Sequence, residues 1–488
     1  MAAENRSTLS RLLEWFDTRL GLSYPLLRPV PGYAISPFYW LGALTVVAFI
    51  IQGVSGVIMM LYYVPSPGAA FTSTQYIFDR VYYGRFLETV HLYTAYAMIM
   101  LAFMHMMRGY FVSVHKKPRE FMWIVGMFMG FVTLGFGFTG YLLPWTVVSK
   151  SATDVGIGMI DALPSQISTL ASFLVVGAGG DATELLRFYD LHVAVLPAVL
   201  LVLLTAKMYM LETHGISEPS GSKKNTGQVP IFPDVTIYLL ELAAMFGAAM
   251  LLVSVIFPLN LPPRYTPELA SQWIPQPDWY FLWIYQILKI SVFEGSGLPI
   301  ALGTVTFVFI LIFLLPFIDR GRSRSIAQRP VFVTVGLIFI GEIIVLAYWG
   351  LTTPGQTIPL EQASLVLGGT AILIGIISLG AFRFSTGESK HTSSAKTTTH
   401  GMNAFGATAA FVMIVSFGAL AIGTSLSSIV QITLNGADLI SVTTLVMAMI
   451  GLACTIMASL VLLYLLDRRT GRLRTKSAFF ERIVRPWT

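Results

Sequence analysis

Two histidines inside one apolar stretch, HLYTAYAMIMLAFMH at residues 91–105, have side chains able to do chemistry in lipid. An imidazole in a bilayer is costly without a partner, so an intramembrane ionisable residue reads as functional. On a helix, 14 residues cover roughly 21 Å and return to within about 40° of the starting face. Across a hydrocarbon core of roughly 30 Å, His91 then stands toward the outer side and His105 toward the inner side. The same interval recurs with glycine, as Gly42 and Gly56 in the first apolar run and Gly126 and Gly140 in the third. Glycine lets a flat, bulky group or another backbone approach where a side chain would hold it away. Each glycine pair alone is compatible with simple helix packing. Three runs sharing one interval at matching depth point to two stacked cofactors. Two haem macrocycles in a four-helix bundle, with histidines as axial ligands and glycines making room, account for all three. The fourth run must supply the opposing ligands. His192, in RFYDLHVAVLP, starts that run on the outer side and can face His91. The inner partner of His105 falls at Thr205, Ala206 or Lys207, whereas His214 projects into the inner loop.

The elements that must position these residues follow from composition. With 55% hydrophobic and 11% charged residues over 488 positions, and a mean hydropathy of +0.72, the chain has about half the charge of a soluble protein. It is read as an all-α polytopic membrane protein. Runs of about 20 apolar residues fall near 38–62, 88–110, 121–142, 190–211, 235–257, 298–318, 331–350, 362–382, 404–426 and 438–466, predicting ten spans. With the N-terminus inside, the inner segments hold 25 of the 31 Lys and Arg, the asymmetry expected of cytoplasmic loops. An even number of spans with both termini cytoplasmic, in the plasma membrane, follows. The net charge of +6 arises from this asymmetry and does not point to nucleic acid.

The single cysteine, Cys454, excludes an intrachain disulfide, and no C-x-x-C-H is present to attach haem covalently. Residues 1–37 lack an apolar core followed by a cleavage site. Within them, STLSRLLEWFDTRLGLSY (7–24) spaces its leucines as a helix on the inner membrane surface. Polar linkers at 220–228 and 385–401 punctuate the chain. The expected organisation is therefore an N-terminal segment (1–37), a haem-binding four-helix bundle (38–218), a second four-helix part (219–382), a linker (383–403) and two additional spans with a basic tail (404–488).

Several motifs, in order along residues 10–382, resemble those of cytochrome b, the membrane core of quinol-oxidising bc-type complexes. EWFDTRL (14–20) resembles the inner surface helix of the plastoquinol-oxidising branch, and HKKPRE (115–120) its loop after the second helix. TGYLLPW (139–145) resembles the end of the third helix and TELLRFYDLH (183–192) the start of the fourth. QPDWYFLWIYQILK (276–289) is similar to the proline–glutamate–tryptophan–tyrosine motif of the quinol site. LLPFIDRGRSRSIAQRP (314–330) resembles the loop between the sixth and seventh helices. Here the two parts that this branch divides between polypeptides are joined.

The resemblance implies two non-covalent haems, an outer one between His91 and His192 and an inner one between His105 and the residue at 207. Relatives with this interval carry histidine there, and this chain carries Lys207. Two readings stand: a deprotonated amine coordinating iron, or an ammonium snorkelling to the inner headgroups. The second leaves the inner haem five-coordinate or absent. Arg85 and Arg187 are the candidates for the haem propionates. Trp40 occupies the position at which the plastoquinol branch attaches a third haem, which predicts its absence.

By the same resemblance, Asp278 stands for a glutamate that takes a proton from bound quinol, and an acid at the edge of an apolar pocket is tuned for that task. The alternative is an ordinary solvated loop aspartate. Tyr141 and Tyr280 are expected to line the pocket, walled by surface helices within 144–176. Asp234, Arg108 and Glu212 are candidates for an inner quinone site. The implied partners are a Rieske-type iron–sulfur protein, which takes one of the quinol's two electrons, further redox subunits, and a second copy of the chain. Two alternatives remain at this stage: a haem-bearing anchor passing electrons from a dehydrogenase to quinone, and a ten-span transporter. The transporter predicts inverted repeats, and none is visible.

Overall fold

Eight helices among the described residues are long and apolar enough to cross a membrane: Leu41–Met60, Gly84–Phe111, Glu120–Leu142, Asp181–His214, Ile231–Ile256, Gly295–Phe313, Pro330–Thr352 and Leu360–Arg383. They are numbered here as the first to eighth spans. The computed structural model describes residues 29–388, apart from 35, 178–179, 219–226 and 322, together with 15, 18 and 19. The expected ninth and tenth spans, the surface helix at 7–24, most of both linkers and Cys454 lie outside the described residues. The architecture described is all-α apart from one ribbon, in which Pro29–Pro31 pairs antiparallel with Gln228–Pro230.

The second span is the centre of the molecule. Half of its apolar window is buried, against at most a third for any other. Polar side chains on it are spent fastening distant segments. Tyr93 donates to the Phe257 carbonyl at 2.7 Å, and Thr89 accepts from the Leu259 amide at 3.1 Å, which ties its outer end to the end of the fifth span. At its inner end Tyr110 donates to the Phe332 carbonyl of the seventh span at 2.6 Å. In a medium that offers backbone groups no water, such bonds fix helix register where hydrophobicity alone cannot.

The connection after the third span turns at Trp145, whose φ of 53° lies in the left-handed region, uncommon for a bulky residue. Packing holds it there: the indole is buried with Leu142, Leu185 and Phe188. A capping box between Thr146 and Ser149 then starts the helix Val147–Asp161. Helix Ser165–Val175 follows, so the expected pair of helices is present in this loop. Val147 donates to the Pro263 carbonyl, and Tyr265 to that of Trp145, which brings the segment before QPDWY against the end of the third span. Lys150, in the first turn of that helix, is buried among three carboxylates, contacting Asp154, Asp181 at 3.3 Å and Glu184 at 3.4 Å. Burial works against its ammonium, but these partners win and hold its pKa above the ordinary lysine value. The helix is thereby pinned to the start of the fourth span.

At the other end of the bundle, HKKPRE meets the 314–330 loop in a second buried ionic cluster. Asp319 accepts from His115 at 2.9 Å and Lys116 at 3.0 Å, and also pairs with Arg329. Burial favours the neutral acid there, but the hydrogen bonds from Lys116 and His115 and the Arg329 charge prevail and lower the carboxyl's pKa. Burial pushes the His115 imidazole down to about 4.

Candidate haem sites and outer cavity

The 14-residue intervals assemble at two levels. At the outer level Gly56 lies against His91, and Gly140 against His192. The two imidazole centroids are 6.3 Å apart, with ring planes at 60°. A first-row metal takes an imidazole nitrogen at about 2.0–2.1 Å, so one ion between the rings can take a nitrogen from each. Both Nδ1 atoms are occupied: His91 meets Ser55 at 2.8 Å, and His192 meets Thr139 at 3.1 Å. Each hydroxyl already donates to the carbonyl four residues back, Ser55 to Ile51 and Thr139 to Gly135. Toward the ring it therefore accepts. That puts the ring proton on Nδ1 and leaves Nε2 with a free lone pair, as a metal ligand needs.

His192 owes its place to an irregularity. Leu191–Val195 is a π-turn within the fourth span, with Pro197 two residues beyond its end. Proline cannot donate to the helical ladder, and a single π-turn often marks a functional site. The helix also begins at Asp181, nine residues before the expected start at 190.

At the inner level Gly42 lies against His105, and Gly126 against the Lys207 Nζ. The lysine amine thus points at the third span at the depth of His105. Here the residues before the glycines are Leu41 and Val125, so no hydroxyl reaches the ring, and His105 Nδ1 is buried without a partner. The dipeptides Ser55–Gly56 and Thr139–Gly140 were the sequence signal for the outer hydroxyls. At the outer level the glycines make room for the two imidazoles, whose separation fits one haem iron between them, and at the inner level His105 and the Lys207 amine are the donors that would hold a second haem.

The other sequence candidates are spread more widely. Arg108 lies over the Tyr39 ring at 4.0 Å, three residues beyond His105. Arg85 pairs with Asp79 at 3.6 Å. Arg187 donates to the Phe173 carbonyl at 2.8 Å. Asp234 is exposed in the kinked Ile231–Val235 segment that opens the fifth span.

QPDWY closes a cavity of about 140 Å³ whose lining includes Tyr141, Thr153, Gly156, Asp278, Tyr280 and Phe281. Asp278 is 5% exposed, so it is not a solvated loop residue. Burial pushes its carboxyl up to about 7, while hydrogen bonds from Tyr96 and Tyr280 pull the other way. The Tyr280 hydroxyl stands 3.5 Å from the carboxyl. It has room only because residue 137 is glycine, where a Cβ would come within 2.8 Å of that oxygen. Downstream, Leu282–Leu288 is helical and adds Ile284, Tyr285 and Leu288 to the lining. Tyr96 and Gly137 escaped sequence reading, because their importance comes from what faces them.

A helical bundle with two stacked His-and-Gly levels and a buried acid in a nearby cavity defines a membrane protein of the haem-bearing, quinol-handling class. Comparison with known proteins is specific. Cytochrome b(N-terminal)/b6/petB matches residues 96–263, and cytochrome b(C-terminal)/b6/petD matches 272–368. The chain is 32% identical over 345 residues to the cytochrome bc complex cytochrome b subunit of Chlorobaculum thiosulfatiphilum, covering 68% of this chain and 79% of that protein. It is 41% identical over 192 residues to cytochrome b6 of Heliobacterium modesticaldum, covering 39% and 90%. Among solved structures, a chain of the hyperthermophilic respiratory Complex III superposes with a TM-score of 0.62 at 26% identity, covering 76% of this chain and 98% of that one. The chain belongs to the cytochrome b family, with the N- and C-terminal parts fused. It is a multi-pass cytochrome b subunit of a bc-type respiratory complex, and the family implies bound haem.

Proposed function

We propose that the cavity beside QPDWY is the outer quinol-oxidising site and that Asp278 accepts a proton from the quinol hydroxyl. The observation that carries this reading is a buried carboxyl facing an apolar cavity with phenols around it. A base works best with a pKa near the operating pH, and burial puts this one at about 7. Tyr141 and Tyr280 bracket the ring of the substrate, and the helix Val147–Asp161 keeps water away.

His91 and His192 hold the outer haem, and His105 and Lys207 the inner one. Bound there, the haems supply one-electron relays through the thickness of the lipid. Ser55 and Thr139 keep the outer imidazoles in the ligating tautomer. Lys207 ligates as the neutral amine, which its place against Gly126 in the bundle favours over a headgroup contact. Arg108 and Asp234 serve a quinone site on the inner side, while Arg85 and Arg187 are the cations that would pair with the propionates of the outer haem. The other quinol electron goes to a Rieske-type iron–sulfur protein of the same assembly, and the subunit works as a homodimer with both termini cytoplasmic. Proton release outside and uptake inside make the cycle proton-translocating.

The test is Asp278→Asn in the purified complex. Both haems should remain with parental spectra while quinol oxidation falls at least about 100-fold, within the range for loss of a general base. Quinol oxidation at the parental rate would overturn the assignment. The dehydrogenase-anchor alternative, which lacks a quinol-oxidising pocket, predicts no quinol oxidation even in the parent.

A further inference from the structure

The structure assigns Tyr96, in the second span, as the positioning residue that holds the Asp278 carboxyl at the quinol cavity. This rests on the reading of Asp278 as proton acceptor. Tyr96 is 3% exposed, with its ring 6.3 Å from that of Trp279 and 6.2 Å from that of Tyr280, so it packs against both neighbours of the acid. Its hydroxyl acts on the Asp278 carboxyl from that contact, in the direction that favours the ionised acid. Asp278 and Tyr280 line the cavity and Tyr96 does not. The carboxyl therefore lies between the substrate space and the phenol.

An aspartate on an irregular segment would be a loosely placed base. Anchoring its carboxyl to a helix interior gives it the precision of a rigid element. That helix is the one carrying His91, five residues earlier, whose ring is itself fixed by Ser55. The acid is thus indexed to the outer metal level through a single helix. The short side chain makes the anchor necessary, because aspartate reaches one methylene less than glutamate. The titratable groups that act on Asp278 are Tyr96 of the second span, Tyr141 of the third, and Tyr280 on its own segment.

A phenol donating to a carboxylate favours the ionised acid. Removing it should raise the Asp278 midpoint by about one unit, a shift set by the modest strength of a charge-assisted bond. The experiment uses the whole purified complex with both haems. The Asp278 carboxyl band is identified by infrared difference spectroscopy as the one lost in Asp278→Asn, then titrated in the parent and in Tyr96→Phe. The midpoint should rise by about one pH unit, and the acid limb of quinol oxidation should move with it, about a tenfold loss of rate at low pH. Incorporating 3-fluorotyrosine at position 96, a stronger donor, should lower the midpoint and provides the readout if Tyr96→Phe assembles poorly. An unchanged midpoint and acid limb would overturn the role of Tyr96. If Asp278→Asn itself oxidises quinol at the parental rate, it is the underlying reading that fails.

Discussion

Alanine in place of each of the four glycines should produce a graded and asymmetric loss of haem. A Cβ on Gly140 would lie 2.5 Å from His192 Cε1, 3.0 Å from Nδ1 and 3.2 Å from Nε2. Ordinary contact starts near 3.4 Å, so the ring must retreat by about 0.9 Å, and it is the ring itself and not a flexible tip that is struck. Retreat strains the 3.1 Å bond to Thr139. Disturbing the support of a metal-ligating histidine costs about 10–100-fold in affinity, and that is the loss expected for the outer haem in Gly140→Ala. Gly56→Ala, at the same depth, brings its Cβ to 3.4 Å from His91 Cε1 and should leave the haem in place. It should even gain up to about 1 kcal/mol of helix propensity. Gly42→Ala, at 3.1 Å from His105, lies between these two. Gly126→Ala meets only the Lys207 Nζ, at 2.8 Å. That tip moves at little cost when free and at high cost when it is a ligand. Haem per polypeptide and potential-resolved reduced-minus-oxidised spectra read all four variants. A Gly140→Ala protein retaining both haems at parental stoichiometry, or equal damage from Gly56→Ala, would refute the steric reasoning.

Four further outcomes are expected from the structure. Lys207→His should convert the inner centre to a bis-imidazole site, changing its ligand-field spectrum while the outer centre stays the same; identical spectra would show that the lysine is not a ligand. Ser55→Ala and Thr139→Ala should each weaken the outer haem by about 10–100-fold and leave the inner haem untouched, as measured by selective haem loss on dilution. Asp319→Asn should cost about 3–5 kcal/mol, because it leaves Lys116 and Arg329 buried without their counter-charge, and a thermal melt of the detergent-solubilised protein should drop accordingly. In the parent, His115 titrates at about 4 when folded and near 6.5 when unfolded. The unfolded chain therefore binds the extra proton first, and stability should fall as pH drops from about 6.5 toward 4. Asp319, with its lowered folded pKa, adds a loss in the same direction at lower pH.

The two-level spacing of the histidines and glycines was legible in the chain itself, because helical period and lipid thickness are fixed quantities. Once 14 residues separate His91 from His105, Gly42 from Gly56 and Gly126 from Gly140, two levels on three helices follow from the rise and turn per residue. Tertiary structure decided what these intervals could not express. The π-turn before Pro197 determines how His192 faces its partner, and a periodic reading assumes that no such turn exists. The difference between the levels, hydroxyl-supported outside and unsupported at His105, depends on what stands beside each ring. Asp278 could be read as either a solvated or a buried acid, since burial of a loop is set by the segments folded over it. Tyr96 looked like one more aromatic in an apolar run until folding brought residue 278 against it. Local periodicity and side-chain chemistry are properties of the chain itself, whereas tautomer, proton affinity and reach arise from contacts between residues far apart in it. For that reason the sequence of this protein determined the eight spans of the described residues, its two levels and its family, and only the assembled bundle decided which side chains stand against the histidines and the acid.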